Sequence, residues 1–309
     1  MQMPKLLQQG DTVAVLATSG PVDVERLTAG VEVVKAMGLV PWVMESCYLR
    51  YGYLAGTDDV RLRDLHTAFA APYVRGIFVA RGGYGAGRLL PGLDFELIAS
   101  NPKVFLGYSD VTALHIAITQ RCGFITFHGP VVSEFGRDDV SMSSLIKMIF
   151  SKDEIGVAAS RLGIKSDIPI ISNPHGQPLI TIIPGRATGP LTGGNLCLLT
   201  ASLGTPYEID TKNRILFIEE INEAPYRIDR MILQLKQAGK LADAAGIILG
   251  DFSPQTLETL HICINELIVP EGKPTLAGLS CGHCSPNITL PIGQNIEFIT
   301  NRLPPFTLH

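Results

Sequence analysis

The 309-residue chain is short of charge. Lys, Arg, Asp and Glu make up 17% of it, against about 25% in ordinary soluble chains. Twenty-five basic and 29 acidic residues leave a formal net charge of −4, and there is no basic tract. That excludes a dedicated nucleic-acid binder, which needs a Lys/Arg-rich face. Long apolar runs are missing too. The longest, such as residues 13–17 and 215–218, are strand-sized, far below the ~20 residues of a membrane-crossing helix, so no membrane partner is expected. The run at 13–17 follows Asp11 and is too short for a secretory signal, which makes the cytoplasm the expected compartment. Six cysteines scattered over the chain do not make a disulfide framework. At 46% hydrophobic residues there is ample core material, and intrinsic disorder is excluded.

What is present in the first half is alternation. Apolar runs at 13–17, 40–44, 76–80 and 104–108 read as buried strands. Between them lie amphipathic stretches at 23–37, with Val24, Leu27, Val31 and Val34 on one face and Gly38 as stop, and at 57–69, with Thr57 as N-cap and Val60, Leu62, Leu65 and Phe69 as apolar face. A further helix is expected at 111–120. Strands alternating with helices predict a parallel α/β sheet covered on both faces. Five prolines between 160 and 190 (Pro169, Pro174, Pro178, Pro184, Pro190) mark a crossover holding one strand, 179–183. Beyond it, strands are expected at 215–218 and 245–249, with helices at 193–202, 228–237 and 257–267. The fold class is therefore α/β in two domains: an N-terminal parallel α/β domain over 1–160, a linker over 161–189, and a C-terminal mixed α/β domain over 190–309. No internal repeat is visible.

The sharpest local feature is Gly107-Tyr108-Ser109-Asp110-Val111, where an apolar strand stops and a helix begins at once. This places the Ser109 hydroxyl at a helix N-terminus, where free N–H groups favour a developing oxyanion. The pattern approaches the nucleophile elbow of hydrolases, with Val111 in place of the second glycine. Serine is equally a good N-cap, and local sequence alone favours the cap. A nucleophile needs a base and the base an orienting acid. His66 and His261 fall in helical patterns, His115 sits beyond Ser109 on its own helix, His175 lies in the crossover and His309 at the end. His128 and His283 remain as candidate bases. Glu219 and Glu220 end a four-residue apolar strand, where α/β folds display site residues. The segment Ala80-Arg81-Gly82-Gly83-Tyr84-Gly85 follows a strand. It fits neither a dinucleotide fingerprint nor a phosphate loop, so it reads either as a plain turn or as a loop whose N–H groups approach an oxyanion. Cys281-Gly-His-Cys284 suggests a redox pair or zinc. It precedes Asn287-Ile-Thr-Leu-Pro291, which cannot start the helix a redox motif needs, and it has no second ligand pair, so neither metal nor cofactor is expected.

Together these segments resemble the LD-carboxypeptidase family, serine peptidases that trim murein tetrapeptides. The similarity runs through Gly10-Asp-Thr-Val-Ala-Val15, Ser19-Gly-Pro21, Arg81-Gly-Gly-Tyr-Gly85, Gly107-Tyr-Ser-Asp110 and His128-Gly-Pro130. It continues through Gly193-Gly-Asn-Leu196, Gly204-Thr-Pro-Tyr207, Glu219, Tyr226-Arg-Ile-Asp-Arg230, Gly282-His283 and Leu290-Pro-Ile-Gly293. The resemblance implies Ser109 as nucleophile, His283 as base and Glu219 as its orienting acid. Glu220 is the lesser candidate, because neighbouring strand residues face opposite ways. It implies an oxyanion hole from the N–H of Asp110 and of Gly82 or Gly83, with Arg81, Tyr84 and Arg230 as substrate-binding residues. It further implies an active site in a cleft between two domains, acyl transfer without metal or cofactor, a murein tetrapeptide as substrate, recycling of imported murein peptides, and a homodimer. Two alternatives stand beside it. One is the microcin-immunity branch, which cleaves peptidyl or aminoacyl nucleotides. The other is a non-catalytic binding protein, with Ser109 as cap and the glycine loop holding an anionic ligand.

Overall fold

The computed structural model describes residues 1–166, 179–302 and 306–308. His175, Pro169, Pro174 and Pro178 of the expected crossover, and His309, lie outside the described residues. The chain forms two compact units, Met1–Ile170 with Ile288–Pro291, and Ile171–Asn287 with Ile292–His309.

The first unit is built on strands β1 (Thr12–Leu16), β2 (Val40–Val43), β3 (Val74–Val79), β4 (Val104–Gly107) and β5 (Thr126–His128). Their order is β5-β4-β3-β1-β2, with a late strand, Leu290–Ile292, beside β5. The pairings of β1 with β2 and β3, of β3 with β4, and of β4 with β5 are all parallel. Parallel neighbours require crossovers. These contain α1 (Val24–Ala36), α2 (Asp58–Ala70), α3 (Phe95–Ser100) and α4 (Thr112–Cys122), and α5 (Asp139–Ile149) and α6 (Lys152–Arg161) follow. The caps are local. The Asp23 carboxylate accepts from Arg26 N–H, Thr57 from Val60 N–H, and Gly38 leaves α1 at φ +89°. The chain runs from β1 out to β2 and returns past β1 to β3. That reversal opens a crevice at the carboxyl ends of β1 and β3, where doubly wound sheets bind ligands.

The buried face of α2 is Arg61, Asp64, Leu65, Ala68 and Phe69. Val60 and Leu62, expected there, are only half-buried. Polar residues take the core side because each meets backbone: Asp64 accepts from Ser46 N–H at 2.7 Å, and Arg61 reaches the carbonyls of Thr18 and Gly85.

The second unit holds β6 (Ile180–Ile183), β7 (Arg186–Asn195), α7 (Leu196–Ala201), β8 (Ile215–Glu219), α8 (Pro225–Gln237), α9 (Lys240–Asp243), β9 (Gly246–Leu249), α10 (His261–Cys263) and β10 (Thr275–Ala277). The strand Leu290–Ile292 is β11, and β12 (Asn295–Ile299) and β13 (Phe306–Leu308) end the chain. The sheet order is β13-β12-β7-β8-β9-β10-β6. Strands β7 to β10 run parallel, while β12, β13 and β6 pair antiparallel. The mixed sheet agrees with the expected fold class.

Two expected helices are corrected. Residues 193–195 end strand β7, and the helix starts only at Leu196. A side chain at Gly193 would place its Cβ 1.9 Å from the Phe217 carbonyl oxygen, so this glycine serves close strand contact, not a turn. Residues 257–260 are turn rather than helix. Thr256 and Thr259 exchange side-chain and backbone hydrogen bonds at 2.9 and 3.3 Å, an arrangement that competes with helical pairing. The helical stretch begins at His261, widens into a π turn, Ile264–Ile268, and tightens into a 3-10 turn, Val269–Glu271.

Gly193→Ala combines a φ of +126° with the 1.9 Å clash. It is expected to lower stability by at least about 2 kcal/mol, read as a drop in the urea midpoint at unchanged slope.

Candidate active site

In the first unit the loops after β1, β3 and β4 converge. Gly20 N–H donates to the Gly82 carbonyl at 3.1 Å. A Cβ on Gly82 would lie 3.0 Å from the Ser109 Cβ and 3.2 Å from its Oγ, so the glycine loop rests on the serine side chain. Gly83 packs instead against the backbone of Gly20.

Ser109 is not the cap of a helix that starts at once. It opens a 3-10 turn, Ser109–Val111, that no side chain caps, and α4 follows at Thr112. Its φ is +66°, a left-handed conformation that a serine adopts only where its surroundings enforce it. The enforcement is visible. The Gly107 carbonyl, at the end of β4, accepts from Gly129 N–H at 3.1 Å and from His115 Nε2 at 2.8 Å. A carbonyl can only accept, so His115 carries its proton on Nε2, and Nδ1 accepts from Thr126 Oγ1 at 2.8 Å. Full burial pushes the His115 pKa down to about 4, opposed only by the Gly107 bond. Next to the serine, Asp110 accepts from Ala86 N–H at 2.7 Å. Burial raises its pKa, against hydrogen bonds from Ser19 and the N–H groups of Ala86 and Gly85. Buried Arg61 joins the β1 and β3 loops through Thr18 and Gly85, and its second nitrogen meets Asp58.

Arg81 is exposed and donates to the Pro21 carbonyl at 2.6 Å. Tyr84 is exposed in the same loop. His128 is buried at the end of β5, packed against the rings of Tyr108 and His115.

In the second unit the carboxyl ends of parallel strands again gather polar groups. Glu219 ends β8 fully buried. His283, in the loop after β10, meets its Oε2 through Nδ1 at 2.7 Å. The carboxylate only accepts, which puts the proton on Nδ1 and makes Nε2 the basic nitrogen. Gly282 permits this approach: at φ +112° a Cβ there would fall 2.5 Å from Glu219 Oε2. Its N–H donates to Asn287 Oδ1 at 3.0 Å. Glu220 faces the other way, accepting from Asn195 Nδ2, Ile221 N–H and, at the start of α7, Cys197 N–H at 2.8 Å. A cavity of about 810 Å3 opens beside His283 between loops 250–260 and 278–285, lined by Asp251, Ser253, Gln255 and Cys284 among others. Arg230 is exposed on α8.

The six cysteines form no disulfide. Burial pushes the Cys284 thiol up to about 12 and Cys281 well above the usual range, opposite to what a reactive redox pair requires. Among the described residues no group of three or more His, Cys, Asp or Glu is arranged to hold a metal, and no helix is long and apolar enough to cross a membrane. Arg61 has no place in the sequence analysis, and His115 enters it only as a histidine set aside as a base. The only trace of Arg61's role is its i,i+3 spacing from Asp58 and its place one residue off the apolar stripe.

Two family models match the chain: an LD-carboxypeptidase N-terminal domain over residues 13–129 and an LD-carboxypeptidase C-terminal domain over 188–298. A Bacillus subtilis protein named "Probable murein peptide carboxypeptidase" is 44% identical over 306 residues, covering 96% of this chain and 91% of its own. Among solved structures, an MccF-like protein of Bacillus anthracis aligns at TM-score 0.86 and 26% identity, covering 99% of this chain and 98% of its own. A muramoyltetrapeptide carboxypeptidase of Oxalobacter formigenes aligns at TM-score 0.75 and 26% identity, covering 94% and 95%.

Gly282→Ala is expected to separate His283 from Glu219, seen as loss of the downfield imidazole proton resonance in NMR spectra of a still-folded protein. A second expectation concerns acid. The His115 pKa drops from 6.5 to about 4 in the folded protein, so the unfolded chain takes up a proton that the folded chain refuses. Its contribution is complete above pH ~6.5 and shrinks as pH falls toward ~4. His115→Gln should therefore flatten the stability–pH curve across that window, measured by urea denaturation at successive pH values.

Proposed function

The chain belongs to the LD-carboxypeptidase family, and on that premise we propose that it is a serine-type L,D-carboxypeptidase releasing the terminal D-alanine of murein tetrapeptides. The observation that carries this reading is Ser109 at φ +66° on a strand-to-helix turn, the strained geometry that hydrolases use to present a nucleophile.

On this reading the first unit supplies Ser109 and the second supplies Glu219 and His283. Ser109 Oγ attacks the carbonyl that joins the third residue to D-alanine, and His283 Nε2 takes the hydroxyl proton. Glu219 holds the Nδ1–H and stabilises the imidazolium that forms. The N–H groups of Asp110 and Gly82 receive the oxyanion; the contact of Gly82 with Ser109 supports it over Gly83. His283 then returns the proton to the leaving amine, D-alanine departs, and water, deprotonated by His283, releases the acyl group from Ser109. Arg81, in the loop that touches Ser109, takes the substrate's terminal carboxylate, with Arg230 the second candidate. Tyr84 borders the same loop. The cavity beside His283 takes a substrate side chain. No step calls for a metal, and the setting is the recycling of murein peptides inside the cell.

A second reading is favoured by one observation, the MccF-like structure's higher TM-score, 0.86 against 0.75. On it the same residues would cleave an aminoacyl nucleotide.

One assay tests both. D-alanine released from a murein tetrapeptide is measured with and without EDTA, beside Ser109→Ala. The expected result is release that EDTA spares and that Ser109→Ala lowers by at least about 10⁴-fold. Turnover of an aminoacyl nucleotide with no D-alanine release would replace the first reading by the second. No turnover of either would leave a binding protein, and activity lost with the chelator would overturn the metal-free scheme.

A further inference from the structure

The residue after Ser109 faces two ways. The main chain of Asp110 lies in the serine turn, Ser109–Val111. Its side chain, 1% exposed, is turned to the glycine loop instead. Oδ2 accepts from Ala86 N–H at 2.7 Å. The carboxylate also takes hydrogen bonds from Gly85 N–H and from the Ser19 side chain. Arg61, fully buried, holds the same loop from the other side: its Nη1 donates to the Gly85 carbonyl at 2.9 Å. The Gly85 carbonyl and the Ala86 N–H belong to one peptide unit and point in opposite directions. That plane is therefore gripped at both ends, by a guanidinium and by a carboxylate. The guanidinium is itself fixed, through the Thr18 carbonyl and Asp58.

The loop between Gly82 and Gly85 needs such a grip. Gly83 and Gly85 stand at φ +112° and +131°, conformations that only glycine adopts readily and that leave no side chain to anchor the loop. Gly85 could not carry one, since its Cβ would fall 2.6 Å from Arg61 Nη1. A donor aimed at an oxyanion is effective because it stands in place before charge develops, and an unanchored loop would lose that advantage. The choice of a carboxylate points the same way. A buried negative charge is costly, and beside a developing oxyanion it would also repel. Here its oxygens are taken up by three donors, and the positive charge of Arg61 acts on it.

We propose that Asp110 is a positioning residue that sets the span of the oxyanion hole. One donor is its own N–H. Its carboxylate, with Arg61 opposite, fixes the loop that brings the other donor, Gly82 N–H, against Ser109. This rests on the acyl-transfer reading above, in which those two N–H groups receive the oxyanion. Ser19 belongs to the same device and ties it to the loop after β1. Loosening the carboxylate's hold lets the two donors drift apart, which weakens the transition state more than the bound peptide.

Two variants and two readouts test it. Asp110→Asn keeps the shape but turns an amide N–H toward backbone donors. Ser19→Ala keeps the carboxylate and removes one of its partners. The readouts are kcat and KM for D-alanine release from a murein tetrapeptide, and the rate at which a fluorophosphonate labels Ser109, which uses the same donors without peptide recognition. Asp110→Asn is expected to lower kcat roughly 10²-fold, as loss of one oxyanion donor does, with KM within about twofold. Labelling should slow by a similar factor. Ser19→Ala should lower both rates by about 3- to 10-fold, the weight of one hydrogen bond. A folded Asp110→Asn protein that keeps its kcat and labelling rate overturns the proposal. So does one that raises KM alone, or that loses kcat while labelling at the original rate. If Asp110→Asn does not fold, unchanged rates in Ser19→Ala overturn it. Labelling of the unsubstituted protein without D-alanine release sinks the carboxypeptidase reading, and the labelling rates of the variants then decide the role of Asp110. Neither labelling nor release sinks both.

Discussion

A carboxylate buried to the last atom is tolerable only where a donor meets it. Glu219 has no exposed surface, and the imidazole of His283 stands 2.7 Å away. Everything around the pair in the second unit follows from that demand. All five residues of β8 are buried, which carries the acid into the interior. Gly282 lets the histidine loop close on it, and Asn287 holds the Gly282 N–H. The neighbouring Glu220, turned the other way by the pleat, spends its oxygens on Asn195 and the start of α7. Two adjacent carboxylates thus meet separate partners, one an imidazole and the other a side-chain amide and the start of a helix.

The first unit meets a comparable demand by holding carbonyls. The Gly107 oxygen is gripped from two sides at the end of β4, two residues before Ser109. The Thr18 and Gly85 oxygens share one buried guanidinium. A serine in the left-handed region costs of order 1–3 kcal/mol, and a loosely anchored turn would relax out of it. A neutral, fully buried histidine is suited to the task, since it donates on one side and accepts on the other without bringing a charge into the core.

How much was legible in the sequence depended on where each residue's partner lies. Helices α1 and α2 announce themselves through caps three residues from the N–H they serve, and the strands through unbroken apolar runs. Helix α5 passed unnoticed because Ser141, Ser143 and Ser144 lie buried among its apolar residues and blur the 3.6-residue period. Residues 257–267 carry a helical pattern, yet the pair Thr256 and Thr259 delays it through side-chain bonds that periodicity does not register. In the candidate site, Ser109, Glu219 and His283 stood out individually because a small residue, a strand end or a Gly-His step marks each. Their selection over Glu220 and His128 came from strand alternation and family resemblance. Arg61 and His115 left no comparable mark, because what they hold are main-chain oxygens delivered by distant segments.

Strand β11 gives the first unit an unusual dependence on the far end of the polypeptide. Its sheet is completed beside β5 by Leu290–Ile292, and Thr289 N–H there bonds the Ser144 hydroxyl at 3.0 Å. During synthesis, then, the flank of β5 stays open until Leu290–Ile292 has left the ribosome. An amino-terminal fragment ending after α6 would expose that edge as a template for pairing with another molecule. The unit that carries Ser109 cannot be separated cleanly by scissors applied at a single point between the two units. Its last piece arrives only after the loop bearing the imidazole has been made.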